Sequence, residues 1–129
     1  MTYLIDSDLV ADYLVAKPQS TELLLALAQE GMGVSLITIG EIYEGIYYGR
    51  DPHKAETVFH QFLRMAEILP LTQTIMQRFA QIRGALRQEG QIIGDFDILI
   101  AATGLHHDLL VVNRNTKDYQ RTPQLRMDK

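Results

Sequence analysis

Cysteine is absent from the 129-residue chain. That removes a disulfide scaffold, a thiolate zinc site and a cysteine nucleophile, and it suits a reducing compartment. No apolar run reaches the roughly 18 residues that span a bilayer. The opening Met1-Thr2-Tyr3-Leu4-Ile5-Asp6 has no basic start and no long apolar stretch, so neither a secretory leader nor a membrane partner is expected, and the expected location is cytoplasmic. Repeats and low-complexity segments are missing as well. The few histidines, His53, His60, His106 and His107, share no metal-ligand spacing; the His106-His107-Asp108 cluster reads as a helix end, where imidazole suits the dipole. Basic residues are in deficit. The net charge of −4 argues against a general polyanion binder. The deficit is uneven: residues 1–82 carry 5 Lys/Arg against 10 Asp/Glu, and residues 83–129 carry 7 against 6. Such a chain can still hold nucleic acid where cations neutralise an acidic cleft and a basic rim grips the backbone.

A 47% apolar, 22% charged composition belongs to a soluble globular domain. At this length one domain buries about two-thirds of its unfolded surface, so a self-sufficient core is expected over 1–129. Short apolar runs alternate with amphipathic stretches, which predicts an α/β fold with a mainly parallel sheet of four or five strands flanked by helices. The expected strands are Tyr3–Ile5, Val34–Ile37, Ile68–Leu69 and Leu109–Val112, with an edge strand at Gln124–Arg126. Asp6 or Ser7 caps a first helix to about Val15, and Lys17-Pro18-Gln19 breaks it. Ser20 caps a second helix over Thr21–Glu30. Thr38 and Glu41 form a capping box for a third helix. Asp51-Pro52 opens a fourth, to about Ala66, and Thr72 a fifth, to Glu89. The run Ile98–Leu105 is apolar all round and therefore central.

Three carboxylates fall at one kind of place. Asp6 follows the first strand, Glu41 lies in the expected first turn after the second strand, and Asp97 opens the helix before the fourth. In open α/β sheets the carboxyl ends of parallel strands line the ligand crevice. Asp118, beyond the fourth strand, is a candidate fourth acid. Hard oxygen donors without Cys or His suit Mg²⁺ or Mn²⁺ rather than zinc, and two such ions about 3.5–4 Å apart can activate a water against a phosphodiester. Singly, each acid also reads as a helix cap or a dipole complement. Together, caps have no reason to converge on one end of one sheet. Asp97 is the strongest, because Ala101 and Gly104 share its face and let that helix approach the sheet.

These residues resemble a family. The opening hydrophobics-Asp-Ser-Asp, the Ser-x-x-Thr-x-x-Glu of Ser35, Thr38 and Glu41, the Ile-Gly-x-x-Asp-x-x-Ile-Ala-Ala of Ile93 to Ala102, and the segment Val112 to Tyr119 are similar to PIN domains, specifically the VapC toxins. The resemblance implies a PIN-like fold, Mg²⁺ or Mn²⁺ as cofactor, endonucleolytic cleavage of single-stranded RNA, a homodimer and a VapB-like antitoxin partner. Asp6, Glu41 and Asp97 match the family's principal metal-site acids. The fourth position stays open between Asp118 and Asn115, with Asp95 an extra acid. In a helix Asp95 lies about 200° from Asp97, so both cannot enter one pocket.

Arg83 and Arg87, four apart on one helix face, are candidate RNA contacts, as are Arg114, Asn115 and Lys117 around the last motif; solvated side chains are the plain alternative. Tyr43, Ile46 and Tyr47, with Tyr48, suggest a helix face covered by the antitoxin. Two other functions compete. In a HAD-like phosphatase Asp6 would be the nucleophile and Asp8 the general acid, but no lysine is placed plausibly between the motifs, Lys54 lying in a polar stretch of an amphipathic helix, the chain is short for that fold plus a cap, and Glu41 has no role there. A non-catalytic PIN-fold binding module would keep the partner groove without a competent metal site.

Overall fold

The computed structural model describes residues 1–114. Alternation along the first strand sets the architecture. In β1 (Tyr3–Ile5), Leu4 and Ile5 are both fully buried and point to opposite faces. Ile5 packs with Leu9, Val10, Leu24, Val34, Ile42, Phe59 and Phe62. Leu4 packs with Leu69, Ile100 and Leu109. A strand buried on both faces requires helices on both sides of its sheet. The first face is covered by α1 (Ser7–Leu14), α2 (Pro18–Glu30), α3 (Leu36–Tyr47) and α4 (Pro52–Leu63); the second by α5 (Gln73–Gln88) and α6 (Asp95–His107). The remaining strands are β2 (Met32–Ser35), β3 (Glu67–Leu69) and β4 (Leu110–Val112). All pairings are parallel, in the order β3-β2-β1-β4. The chain steps outward from β1 to β3 and then crosses to the other side of β1, so the topological switch lies at the carboxyl end of β1, where α/β ligands bind.

The expected class and four strands are present; Gln124–Arg126 lies outside the described residues. Several local expectations are corrected. Pro18 does not break a helix but opens one, at the first helical position where its missing N–H costs nothing. Ser20 is therefore inside α2 and caps nothing; it is buried and donates to Asp12 Oδ2 at 3.0 Å. β2 ends at Ser35, two residues early, because the Ser35 hydroxyl accepts the Ile37 N–H at 3.2 Å and caps α3. Thr38 and Glu41 thus form no capping box, and Glu41 falls in the second turn of α3. The fourth helix stops at Leu63.

α6 is central as expected: Ile98 through Gly104 are buried without a break. His106 and His107 fall in its last turn and Asp108 at its C-cap, as expected. Burial, and then the neighbouring His106, hold the His107 imidazole below its usual pKa against the opposing charge of Glu67. Gly31 ends α2 at φ +96°, and a Cβ there would stand 2.8 Å from Met1 Cα, so only glycine lets the N-terminus begin β1 beside it. No helix among the described residues is long and apolar enough to cross a membrane.

Candidate active site

Asp6 stands where β1 becomes α1. Its N–H donates to the Val112 carbonyl at 3.0 Å, continuing the β1–β4 ladder by one residue. Its side chain caps α1, Oδ1 accepting the Ser7 N–H at 2.6 Å, and only 7% of the residue is exposed. Ser7 then reaches sideways. Its hydroxyl donates to Glu41 Oε1 and lies 3.2 Å from the buried Thr38 hydroxyl. With one hydrogen, Ser7 gives it to the carboxylate and is free to accept from Thr38. Asp6 and Glu41, 35 residues apart, are thereby joined through a single serine at the carboxyl end of β1.

Asp97 lies in the first turn of α6, on its exposed rim. The helix starts at Gly94, which offers no capping side chain; a Cβ on Gly94 would sit 3.6 Å from Asp97 Oδ2. Asp95 and Asp97 therefore supply the negative charge that the uncapped N–H groups favour. Asp95 is paired with a cation. It faces Arg83, whose Nε donates to it at 2.7 Å. Among the described residues no three acidic or histidine side chains gather tightly enough to hold an ion. The donor chemistry is nevertheless that of a hard cation, because every candidate ligand is a carboxylate oxygen. Two carboxylates joined through one serine, as Asp6 and Glu41 are, repel each other unless a cation or a proton offsets the charge. Asp118, Asn115 and Lys117 lie outside the described residues.

A second pair of acids, Asp8 and Asp12, lies on α1, and Asp12 went unread in the sequence. Asp12 lies on the buried stripe of α1 with Leu9 and Tyr13. Arg114 grips it with a fork, Nε to Oδ2 and Nη2 to Oδ1, both at 2.9 Å. Ser20 and Lys17 complete the surround. Burial alone would raise the Asp12 pKa; the Ser20 hydroxyl and the Arg114 guanidinium outweigh it and hold the carboxyl below its ordinary range. Asp8 goes the other way. Burial first, then the charge of Asp6, raise it against the opposing bond from the Arg114 N–H at 3.1 Å. Asp8 Oδ1 and Asn113 Oδ1 are buried without a partner among the described residues. The legible signal was Asp12 itself: a carboxylate on an apolar stripe demands a partner. Arg114, read as an RNA contact, is committed to this clamp, and Arg83 to Asp95. Arg87 is exposed.

The helix face assigned to a partner divides. Ile46 lines a groove of about 550 Å³ between α1, α3 and α4, together with Leu14, Glu41, Ile42, Gly45 and Lys54. Tyr43 and Tyr47 do not line it. They stack on each other at 5.7 Å on the outer flank of α3, where Tyr43 meets Phe59 edge-on at 5.3 Å. The groove runs up to Glu41, one of the two linked acids.

The PIN domain family model matches residues 3–125. The chain is 30% identical over 130 residues to ribonuclease VapC2 of Haemophilus influenzae, covering 99% of this chain and 97% of that one. The chain is a PIN domain of the VapC family. It is also 25% identical to the tRNA(fMet)-specific endonuclease VapC of Shigella flexneri, over 99% of this chain and 97% of the relative. Among solved structures, the VapBC2 complex of Rickettsia felis bound to a promoter DNA fragment shares the fold at a TM-score of 0.87 and 23% identity, over 96% of this chain and 95% of that chain. The phosphatase reading falls with the PIN assignment. Glu41, idle in that reading, is bonded here to the residue next to Asp6.

Proposed function

We propose that this PIN domain is a divalent-metal-dependent endoribonuclease and the toxin of a pair with a VapB-like antitoxin. One observation carries the reading: in a VapC-family chain, Asp6 and Glu41 meet through Ser7 at the carboxyl end of β1. Asp6, Glu41 and Asp97 would hold the ion, with Asp118 or Asn115 completing the set. Bound Mg²⁺ or Mn²⁺ supplies charge neutralisation at phosphoryl oxygens and a water acidic enough to attack RNA in line, leaving a 5′-phosphate and a 3′-hydroxyl. The chain's own part is placement. The β1–β4 ladder fixes the Asp6 backbone, Ser7 orients the Glu41 carboxylate, and no side chain need act as nucleophile. Arg87 and Lys117 are the candidate cations for the RNA backbone, since Arg83 and Arg114 already serve carboxylates.

The antitoxin's place in this reading is the groove that ends at Glu41, where an Arg or Lys from the antitoxin would compete with the ion for the acids. The toxin itself would be a homodimer, and light scattering giving a monomer at every concentration would remove that part. The deciding assay uses purified, antitoxin-free protein on single-stranded RNA with Mg²⁺, Mn²⁺ or EDTA. Cleavage should need the metal and fall by about 10²–10³-fold or more in Asp97→Asn, which keeps the shape and removes the charge. Cleavage that survives EDTA, or that persists in Asp97→Asn, overturns the nuclease mechanism. A folded protein that binds antitoxin but never cleaves is the non-catalytic module.

A further inference from the structure

The first turn of α6 carries an aromatic ring that the fold does not bury. Phe96 is 50% exposed. At about 100° per residue, Asp95, Phe96 and Asp97 fan across one side of the helix. Phe96 stands at the centre of that fan, and the buried Ile98 lies on the opposite side. On one flank is Asp97. On the other, Asp95 is neutralised by Arg83 at 2.7 Å. Beside this pair lies a depression of about 290 Å³ lined by Arg83, Arg87, Ile92 and Asp95. Arg87 has no side-chain partner among the described residues, and Ile92 is 96% exposed.

We infer that Phe96 is a base-stacking platform for single-stranded RNA, taking the nucleobase beside the phosphate to be cleaved while Arg87 reaches that nucleotide's backbone. The inference rests on the ribonuclease reading above and adds to it a positioning residue. Single-stranded nucleic acid is held by aromatic faces combined with cations that follow the backbone. Phe96 supplies the face and Arg87, which lines the depression with Asp95, the cation, with the candidate metal acid next to Phe96 in sequence. The Arg83–Asp95 pair has a role here, since an unpaired Asp95 would repel the phosphates that Arg87 attracts. A second copy of the chain is the disfavoured occupant, because Phe96 stands between Asp95 and Asp97 beside a depression lined by Arg83 and Arg87, and the cores of protein interfaces are depleted in charge. Stacking reads no base edge, so sequence preference at this position should be weak.

The chain has no tryptophan, so Phe96→Trp places a sole indole at the site. A single-stranded oligoribonucleotide titrated into this variant in EDTA should quench its emission by at least about half, saturably. The same oligonucleotide with an abasic residue at each position should quench far less. Equal quenching by the two, or none by either, overturns the platform. So does emission that is blue-shifted without RNA and follows protein concentration, which would mean that a second copy covers the ring. In cleavage assays Phe96→Ala should raise KM about tenfold and leave kcat within about twofold, with Phe96→Tyr close to the unsubstituted protein. A fall in kcat at constant KM also overturns it. Failure of the unsubstituted protein to cleave under any metal sinks the nuclease reading instead, and the fluorescence comparison still decides the platform.

Discussion

Ser7 shows how much one small side chain carries. Its N–H and its hydroxyl go to two different carboxylates, which come from segments 35 residues apart. Ser7→Ala keeps the backbone bond to Asp6 and frees Glu41. Metal affinity and cleavage should fall about 10–100-fold, the usual cost of losing a group that orients a ligand, while Ser7→Thr should recover most of it. Isothermal titration with Mn²⁺ beside the cleavage assay checks this, and equal affinity in Ser7→Ala would show that Glu41 needs no orientation. Asp12 offers a test of stability. Its carboxyl is held below its ordinary pKa, so its contribution is present above the unfolded value of about 4 and is lost as pH falls through the lower folded value. Asp12→Asn should therefore cost about 1–3 kcal/mol at pH 7, leaving Arg114 without its charged partner. The gap between the two denaturation curves should close as pH drops below about 4. A gap independent of pH would assign the loss to packing. Asp12 was readable as an anomaly in an apolar stripe, whereas its partner 102 residues away was not.

At the scale of elements, capping decided what hydrophobicity left ambiguous. Leu36 and Ile37 extend an apolar run and read as strand, yet the Ser35 hydroxyl turns them into the first turn of α3. Within α3, Ile42 and Ile46 go to the core, Gly45 to the groove, and Tyr43 and Tyr47 to the outer flank. Three residues read as one face therefore belong to two: at about 100° per residue Tyr43 and Tyr47 lie about 40° apart, while Ile46 lies about 100° from Tyr47, and the packing against α1 and α4 separates them. Gly45 makes the groove testable. A Cβ there meets nothing within 4 Å, and glycine inside a helix costs about 1 kcal/mol relative to alanine. Gly45→Leu should keep or raise Tm while lowering affinity for the cognate antitoxin at least about tenfold. Tyr43→Ala with Tyr47→Ala should change affinity less. Unchanged binding by Gly45→Leu would move the antitoxin elsewhere.

For the whole molecule, a ligand that binds only the native state raises stability by an amount set by its concentration over Kd, about 2.7 kcal/mol at a hundredfold excess. Mn²⁺ should therefore raise Tm, EDTA should reverse the rise, and Asp97→Asn should abolish it with little change in the metal-free Tm. A rise that survives Asp97→Asn would place the ion away from α6. The sequence by itself determined the α/β class, the four strands, the burial of α6 and the candidacy of Asp6, Glu41 and Asp97. Those features rest on local chemistry: period-2 and period-3.6 apolar patterns, turn residues, and acids at the ends of elements. Only the tertiary structure decided that Ser7 joins Asp6 to Glu41, that Arg114 and Arg83 are paired with carboxylates, and that Tyr43 and Tyr47 do not line the groove. Each of these depends on residues far apart in the chain. Pattern along a chain specifies which side of an element is apolar. Which charge finds which partner follows only once the sheet order β3-β2-β1-β4 has brought the strand ends side by side.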